Sequence, residues 1–108
     1  MLRMTCIICY NAEDDLIKSF RDKETEKIYQ GYKSLKLDQS IQHVAYRKLK
    51  MLNNAFALID LKAPPSNNLE KLQGKLKGYY SIRINNQYRI CFRWENQDAY
   101  EVEIVDCH

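Results

Sequence analysis

The spacing of apolar residues changes at the Pro64-Pro65 pair, from steps of three and four before it to steps of two after it. The longest stripe before the break has the period of an amphipathic helix packed on a core. Its apolar members are Ile41, Ala45, Leu49, Leu52, Phe56 and Ile59, and the basic residues Arg47, Lys48 and Lys50 fall largely off it. We therefore predict a long helix with one buried face in this part of the chain.

Capping residues indicate where the elements before the break begin. Asp38 or Ser40 can cap the long helix, and Asp22 can cap a shorter helix that runs to about Tyr32. The apolar segment 16–20 precedes both helices and is typical of a short strand.

After the break, three segments alternate apolar and polar residues, as strands with one buried face do. Residues 69–74 can add a fourth strand, and residues 16–20 a fifth. Short connections predict an antiparallel meander whose apolar face is covered by the two helices, which is an α+β fold. The apolar positions of the three segments are Tyr80, Ile82 and Ile84, then Tyr88, Ile90, Phe92 and Trp94, then Tyr100, Val102 and Ile104.

One register of the first hairpin keeps its apolar residues on the same face. A three-residue loop at 85–87 pairs Ile82 with Ile90, whereas a two-residue loop would mix core and solvent positions. The asparagines of this loop tolerate the left-handed conformation that we expect it to need. The same register places Arg83 directly across from Arg89, where like charges destabilise a sheet by a few tenths to about 1 kcal/mol. We therefore expect an anion at the arginine pair.

Two kinds of anion fit this pair. An internal carboxylate is one, because the same alternation in the next hairpin places Arg93 across from Glu101 and Glu103 across from Cys91, diagonal to Arg89. A phosphate is the other, because a planar guanidinium matches phosphate oxygens and forms charge-assisted hydrogen bonds with them. The pattern of residues leaves both open.

Length and composition limit the class of protein. The 108 residues fit one domain, and no stretch approaches the roughly 20 apolar residues of a membrane span. Because the start has no convincing signal peptide, we expect a cytoplasmic protein without a membrane partner. Cys6 and Cys9 form a lone Cys-x-x-Cys pair, which cannot supply four zinc ligands, so we expect no metal.

The distribution of charge is more informative than the net charge of +3. Residues 95–106 contain five acidic side chains and no basic one, whereas residues 71–93 contain six basic side chains and no acidic one. Two explanations fit this segregation. The opposite charges can lie on neighbouring strands and neutralise each other, or the basic residues can form a cationic surface for a polyanion beside an acidic element. The six basic residues are Lys71, Lys75, Lys77, Arg83, Arg89 and Arg93.

Three segments together resemble the HigB, or proteic killer, branch of the RelE/ParE toxin superfamily. They are a Leu-x-Gly-x-x-x-Gly-Tyr-x-Ser motif at 72–81, the sequence QYRICF at 87–92 and an Asp-x-His end at 106–108. The likeness covers residues 16–108, so we expect residues 1–15 to be an extension of a single toxin domain. It implies two helices against a curved antiparallel sheet, as in small microbial ribonucleases.

The resemblance also implies a two-gene, type II toxin–antitoxin module. In such a module a helix-turn-helix antitoxin of the HigA type neutralises the toxin, and operator DNA is contacted only through the antitoxin complex. Better-characterised members cut mRNA on the translating ribosome and stop growth, with no metal or other cofactor. A base removes the 2′-hydroxyl proton, an acid protonates the 5′-leaving oxygen, and arginines stabilise the charged phosphorane.

Functional residues carry over from the family to matching positions of this chain. Arg89 matches the phosphate-binding arginine, and Asp106 and His108 match the catalytic carboxy-terminal pair, in which His108 acts as acid or base and Asp106 orients it. Arg83 would join Arg89 at the phosphate, and Glu70 would be the complementary acid or base. The RNA backbone would follow Lys71, Lys75, Lys77 and Arg93.

Two segments depart from the family pattern. His-Pro-Leu-Lys-Gly is Glu-Lys-Leu-Gln-Gly at 70–74, and the Asp-Tyr-His end is Asp-Cys-His at 106–108, so a histidine, a lysine and a tyrosine are replaced. These replacements favour an alternative without catalysis: a toxin that blocks a protein target, as ParE toxins block gyrase, or a degenerate toxin that persists as an antitoxin-binding co-repressor. The retained Arg89 and His108 favour cleavage.

Overall fold

The computed structural model describes residues 16–74 and 78–106. The four strands of these residues form one antiparallel sheet in which each strand pairs with the next along the chain, so the predicted α+β fold is confirmed. The extension predicted at residues 1–15 lies outside the described residues. The elements are helices α1 (Lys23–Tyr29) and α2 (Gln39–Asn53), 3₁₀ helices Leu58–Lys62 and Pro65–Asn67, and strands β1 (Glu70–Lys71), β2 (Tyr79–Arg83), β3 (Tyr88–Glu95) and β4 (Asp98–Asp106).

A single cluster of buried apolar side chains joins the helices to the sheet. Each fully buried aliphatic or aromatic side chain in such a cluster contributes about 1.5–3 kcal/mol to folding. The helices contribute Ile28, Ile41, Ala45, Leu49 and Leu52, and the strands contribute Ile82, Ile90, Phe92, Ala99, Val102 and Ile104. Within the described residues, no helix is both long enough and apolar enough to cross a membrane.

The two helices begin close to the predicted caps. Asp38 caps α2, because its carboxylate accepts the N–H of Ser40 at 2.9 Å. Asp22 occupies the N-cap position of α1, but its side chain caps no backbone N–H. α1 ends at Tyr29, earlier than predicted, and the chain turns away at Gly31, whose φ of +92° suits glycine.

The predicted extent of the long helix is wrong at its carboxyl end. The apolar stripe continues to Ile59, but α2 ends at Asn53, and Phe56 and Ile59 are 87% and 65% exposed. Asp60 explains the break, because its carboxylate accepts the N–H groups of Phe56 and Ala57 and thereby caps the separate 3₁₀ helix.

The β2–β3 hairpin has the predicted register. Ile82 pairs with Ile90, and Arg83 pairs with Arg89. The loop, however, reaches this register without the expected left-handed residue, because none of residues 85–87 has a positive φ. Instead the side chain of Asn85 accepts the N–H groups of Gln87 and Tyr88, each at 2.8 Å, in an Asx turn.

The β3–β4 hairpin follows the prediction only in part. Cys91 pairs with Glu103 as expected, but Arg93 pairs with Tyr100 rather than Glu101. A β-bulge between these pairs inserts Glu101, which has a φ of 53°. The bulge therefore moves the register by one residue for the rest of the hairpin.

The two additional predicted strands are shorter than expected. In segment 16–20, only isolated parallel bridges form, from Ile17 to Ala99 and from Phe20 to Val102 along β4. Residues 69–74 contribute only the two residues of β1, which pairs with β2 at the opposite side of the sheet.

Candidate active site

Arg83 and Arg89 are opposite each other on β2 and β3. Paired residues of an antiparallel sheet project to the same side, and successive residues alternate. Because Ile82 and Ile90 face the core, both arginines project from the other face of the sheet. The sequence predicted this juxtaposition, and it defines the candidate site.

Uncharged acceptors fix the guanidinium of Arg89. Its Nε–H donates to Ser81 Oγ at 2.7 Å, and its Nη2 donates to the carbonyl oxygens of Asn68 at 2.5 Å and Ser81 at 3.3 Å. The side chain is only 14% exposed, and Ser81 is buried. These acceptors orient the group without neutralising its charge, so it remains available to an anion.

Glu70 is the carboxylate closest to this arginine in the described part of the chain. It pairs with Ser81 across β1 and β2, and its Oε1 lies 3.8 Å from Arg89 Nη2. Its Oε2 accepts a hydrogen bond from the side chain of Asn68 at 3.3 Å. With 52% of its side chain exposed, Glu70 is open to a ligand beside the guanidinium. The internal carboxylate expected from the sequence, Glu103, is therefore not the partner of Arg89: Glu70 is beside this arginine, and Glu103 forms an ion pair with Arg21.

Lys48 is a third cation near the arginine pair, and the apolar pattern of the sequence predicted it to lie off the buried stripe. That placement is wrong, because Lys48 is only 4% exposed. Its Nζ donates to Asn67 Oδ1 at 2.8 Å and to the carbonyl oxygen of Arg83 at 2.7 Å. Burial lowers the pKa of Lys48, and the positive charges of Arg47, Arg83 and Arg89 lower it further.

A helical signal for Lys48 was present in the sequence. It lies three residues after Ala45 and four before Leu52, which are both buried members of the stripe. Lysine at such a position is normally assigned to solvent because its charge is costly to bury. Asn67 accepts from Lys48, and the carbonyl oxygen of Asn68 accepts from Arg89. The sequence contained no comparable pattern for these two contacts, because they depend on the path of the loop before β1.

The two remaining arginines of the predicted set differ in their partners. The guanidinium of Arg83 donates to the side chain of Asn86 and has no carboxylate partner among the described residues. Arg93 forms ion pairs with Glu95 and Glu101 and stacks on the ring of Tyr100. Partial burial opposes the charge of Arg93, but its hydrogen bond to Glu101 and the nearby Glu95 raise its pKa. The charge of Arg93 is therefore balanced within the chain.

Two predicted residues extend from the opposite face of the sheet. Asp106 pairs with Tyr88 at the end of β4, so it is on the same face of the sheet as Ile90 and on the opposite face from Arg89. Its carboxylate accepts a hydrogen bond from the side chain of Gln87 at 3.0 Å. Lys71 pairs with Tyr80, and both residues line an apolar cavity of about 390 Å³ with Leu58, Ile59, Lys62 and Leu69. Neither residue shares the face of the arginine pair.

Three further predicted residues, His108, Lys75 and Lys77, lie outside the described residues. Within the described residues, no three His, Cys, Asp or Glu side chains are grouped as metal ligands would be. The described site is a face of fixed guanidinium groups with one exposed carboxylate. Such a face can bind a phosphate and stabilise negative charge that develops on it.

Comparisons with known proteins identify the family of this chain. The family model for the RelE-like toxin of the type II toxin–antitoxin system HigB matches residues 18–108. The toxin HigB-1 of Vibrio cholerae is 46% identical over 76 residues, which cover 69% of this chain and 80% of that protein. An uncharacterised protein of Haemophilus influenzae is 39% identical over 81 residues, covering 74% of this chain and 80% of that protein.

A solved structure shares the fold at low sequence identity. The YoeB–YefM complex of Staphylococcus aureus contains a chain that superposes with a TM-score of 0.54 at 19% identity. The match covers 85% of this chain and 94% of the other. Together with the family match, which spans most of the sequence, these likenesses place the chain among the HigB-like members of the RelE-like toxins of type II toxin–antitoxin systems.

Proposed function

We propose that this toxin is a metal-independent endoribonuclease that cuts mRNA on the translating ribosome and thereby stops translation and growth. Membership of a toxin family typified by this activity supports the proposal. The observation that carries it is Arg89, a nearly buried guanidinium oriented by three uncharged acceptors beside two further cations. Glu70 is the one carboxylate within ion-pair distance of these three cations among the described residues, so the site keeps an excess of positive charge that a scissile phosphate would balance.

Arg89 and Arg83 bind the phosphate in this mechanism. Arg89 is preorganised, so it stabilises the charge of the phosphorane without reorganising during the reaction. Arg83 is opposite it on the neighbouring strand and contributes the second guanidinium. Two guanidinium groups on one phosphate also remove the repulsion that the bare pair experiences.

Glu70 and His108 divide the proton transfers. Glu70 is exposed and lies beside Arg89, so it can accept the 2′-hydroxyl proton of a nucleotide whose phosphate the guanidinium holds. The 2′-oxygen then bonds to phosphorus, and the bond to the 5′-oxygen breaks as His108 protonates that oxygen. Because Asp106 projects from the other face of the sheet, its proposed role is limited to orienting the imidazole of His108, two residues later in the sequence.

The basic side chains at the margin of the site contact the RNA backbone. Lys71 on β1 is one candidate, and Lys75 and Lys77, which follow it in the sequence, are two more. Arg93 contributes least, because Glu95 and Glu101 already neutralise its charge. The partners of the reaction are the ribosome and mRNA, in the cytoplasm.

An antitoxin partner follows from membership of a toxin–antitoxin family, and the related fold of known structure is part of such a complex. We propose a helix-turn-helix antitoxin of the HigA type, with operator DNA bound only through the complex. A reading frame for such a protein beside the toxin gene would support this partner.

Mapping of mRNA 5′ ends in ribosome fractions tests the activity. Wild type should produce new ends, and Arg89→Ala and His108→Ala should each reduce their yield at least a hundredfold, which is the usual effect of removing a group that stabilises the transition state. Arg21→Ala is the matched control, because Arg21 pairs with Glu101 and Glu103 away from the site. Growth arrest without new ends would instead favour a toxin that acts by binding a protein.

A further inference from the structure

Lys48 is a buried cation that the proposed mechanism of phosphate binding does not use directly. It projects from α2 into the space between the helix and the sheet end, and both of its acceptors are uncharged oxygens. No carboxylate in the described part of the chain lies within ion-pair distance of its Nζ. A buried ammonium is costly, and an apolar side chain of similar length would fill the same stripe position at lower cost. Its place here therefore indicates a function.

The acceptor of Lys48 belongs to a buried polar network in the loop before β1. Asn67 is fully buried, and its side-chain N–H groups donate to the carbonyl oxygens of Leu61 at 3.1 Å and Ala63 at 3.3 Å. Its Oδ1 accepts a hydrogen bond from Lys48 Nζ. All polar atoms of this amide are thus used to hold the loop in one conformation.

The residue that follows in the loop contacts both groups of the proposed reaction. Asn68 has a φ of 44°, a left-handed conformation that its neighbours hold in place. Its carbonyl oxygen accepts from Arg89, and its side-chain amide donates to Glu70. The position of Asn68 therefore affects where the guanidinium and the carboxylate lie.

We propose that Lys48 is a positioning residue, which fixes the Asn67–Asn68 loop and through it sets the positions of Arg89 and Glu70. This inference rests on the proposed nuclease function for its effect on catalysis, but not for its effect on Arg89. Lys48 also donates to the backbone of Arg83, so one ammonium ties α2 both to β2 and to the loop before β1. Its action is indirect, because the side chain of Asn67 and the backbone of Arg83 accept the hydrogen bonds of its Nζ.

The Nε–H of Arg89 reports this positioning independently of any activity. This proton is bonded to Ser81 and shielded from solvent, so it should give a slowly exchanging signal in a ¹H–¹⁵N spectrum at slightly acidic pH. Arg89→Lys assigns the signal by removing it. In Lys48→Met we expect its exchange with water to accelerate at least about tenfold.

Cleavage on ribosomes is the second readout of the same variant. A misplaced guanidinium should lower the single-turnover rate by about ten- to a hundredfold, with little change in the toxin concentration that gives half the maximal rate. Lys50→Met is the matched control, because it removes the same charge from α2 at a side chain that contacts the rings of Tyr29 and Tyr46. It should leave both readouts within about twofold of wild type.

The outcomes separate this inference from the proposed function. Unchanged exchange of the Arg89 proton in folded Lys48→Met overturns the inference, and so do equal losses in Lys48→Met and Lys50→Met. Faster exchange in a protein whose wild type produces no cleavage supports positioning and contradicts the nuclease. If circular dichroism shows that Lys48→Met is unfolded, Lys48→Gln decides, because its amide retains a donor for one of the two acceptors and should give intermediate exchange.

Discussion

At the scale of single residues, the candidate site depends on uncharged acceptors that hold a charged group. Ser81 supplies the hydrogen bond to Arg89 Nε and is itself buried. The sequence predicted the arginine but not its acceptors, because a serine on a strand has no distinctive pattern. Geometry of this kind requires the side chains of three separate segments to be placed at once.

Ser81→Ala should weaken this arrangement without removing a charge. We expect about 1 kcal/mol less free energy of unfolding, because a buried donor loses its partner, and a cleavage rate about tenfold lower. Denaturant titration and single-turnover cleavage measure the two effects. Ser19→Ala is the control, since Ser19 Oγ accepts only the exposed N–H of Glu101. A cleavage rate equal to that of wild type would show that Ser81 does not orient the guanidinium.

Glu24 allows a prediction on the pH dependence of stability. The buried hydroxyl of Ser34 donates to Glu24 at 2.6 Å and lowers the pKa of this carboxyl, with a further contribution from Lys27. Because the folded state then binds the proton less tightly than the unfolded state, the stabilisation is complete above the unfolded pKa. It is lost as the pH falls through the folded pKa.

Glu24→Gln should therefore be less stable than wild type at pH 7, and the two proteins should converge in acid. Denaturant titrations across this pH range give the difference in free energy of unfolding. Glu26→Gln, an exposed change on the same helix, controls for the removal of one negative charge. A difference that stays constant with pH would contradict the assigned role of the Ser34 hydrogen bond.

At the scale of elements, the spacing of apolar residues predicted whether a segment is a helix or a strand better than it predicted where that helix or strand ends. The apolar stripe of α2 continues in the sequence through Phe56 and Ile59, but the helix itself ends at Asn53. A local carboxylate, Asp60, competes for the backbone N–H groups there, and periodicity alone does not register such competition. The core side chains of Leu49 and Leu52, in contrast, were located correctly.

Substitutions along the stripe should separate its buried and exposed members. Leu52→Ala should cost about 2–5 kcal/mol of unfolding free energy, because it leaves a cavity in the core. Phe56→Ser should change stability by no more than about 0.5 kcal/mol, since the ring is exposed. Chemical denaturation of both variants checks the contrast. A loss at Phe56 similar to that at Leu52 would mean that the helix continues as the stripe suggests.

The bulge in β4 is a second element that alternation could not predict, because a period of two has no place for an extra residue. Glu101 has a left-handed φ of 53° there, whereas Glu103 lies in regular strand pairing with Cys91. Both carboxylates are within ion-pair distance of Arg21. Glu101 also pairs with Arg93, so the two positions are compared for backbone strain in a protein that carries Arg93→Ala, where each carboxylate has only Arg21 as its partner.

Glu101→Gly should be more stable than Glu103→Gly by about 1 kcal/mol. Glycine adopts a positive φ without strain, but in a regular strand it adds conformational entropy to the unfolded chain. The midpoints of denaturant unfolding, measured at equal slope, give the difference. Equal stabilities would indicate that the bulge carries no strain.

At the scale of the whole molecule, the two explanations of the segregated charges apply to different parts of the sheet. The acidic strand β4 is neutralised by Arg21 and Arg93, which form ion pairs with its carboxylates. The arginine pair on β2 and β3 keeps an excess of positive charge, with Lys48 added from α2. This division needs the fold, because Arg21 and Lys48 lie far from the basic segment in the sequence.

The excess charge predicts how binding to ribosomes responds to salt. Each phosphate neutralised by a protein cation contributes about 0.7 to the slope of log K against log salt concentration for single-stranded RNA. Lys71→Ala should therefore reduce the magnitude of this slope by about 0.7, whereas Lys23→Ala, an exposed change on α1, should leave it unchanged. The measurement is binding of toxin to ribosomes programmed with an mRNA that carries a 2′-deoxynucleotide at the cleavage position. A slope that Lys71→Ala leaves unaltered would exclude the β1 edge from the RNA path, since Lys71 would then neutralise no phosphate and release no counterion.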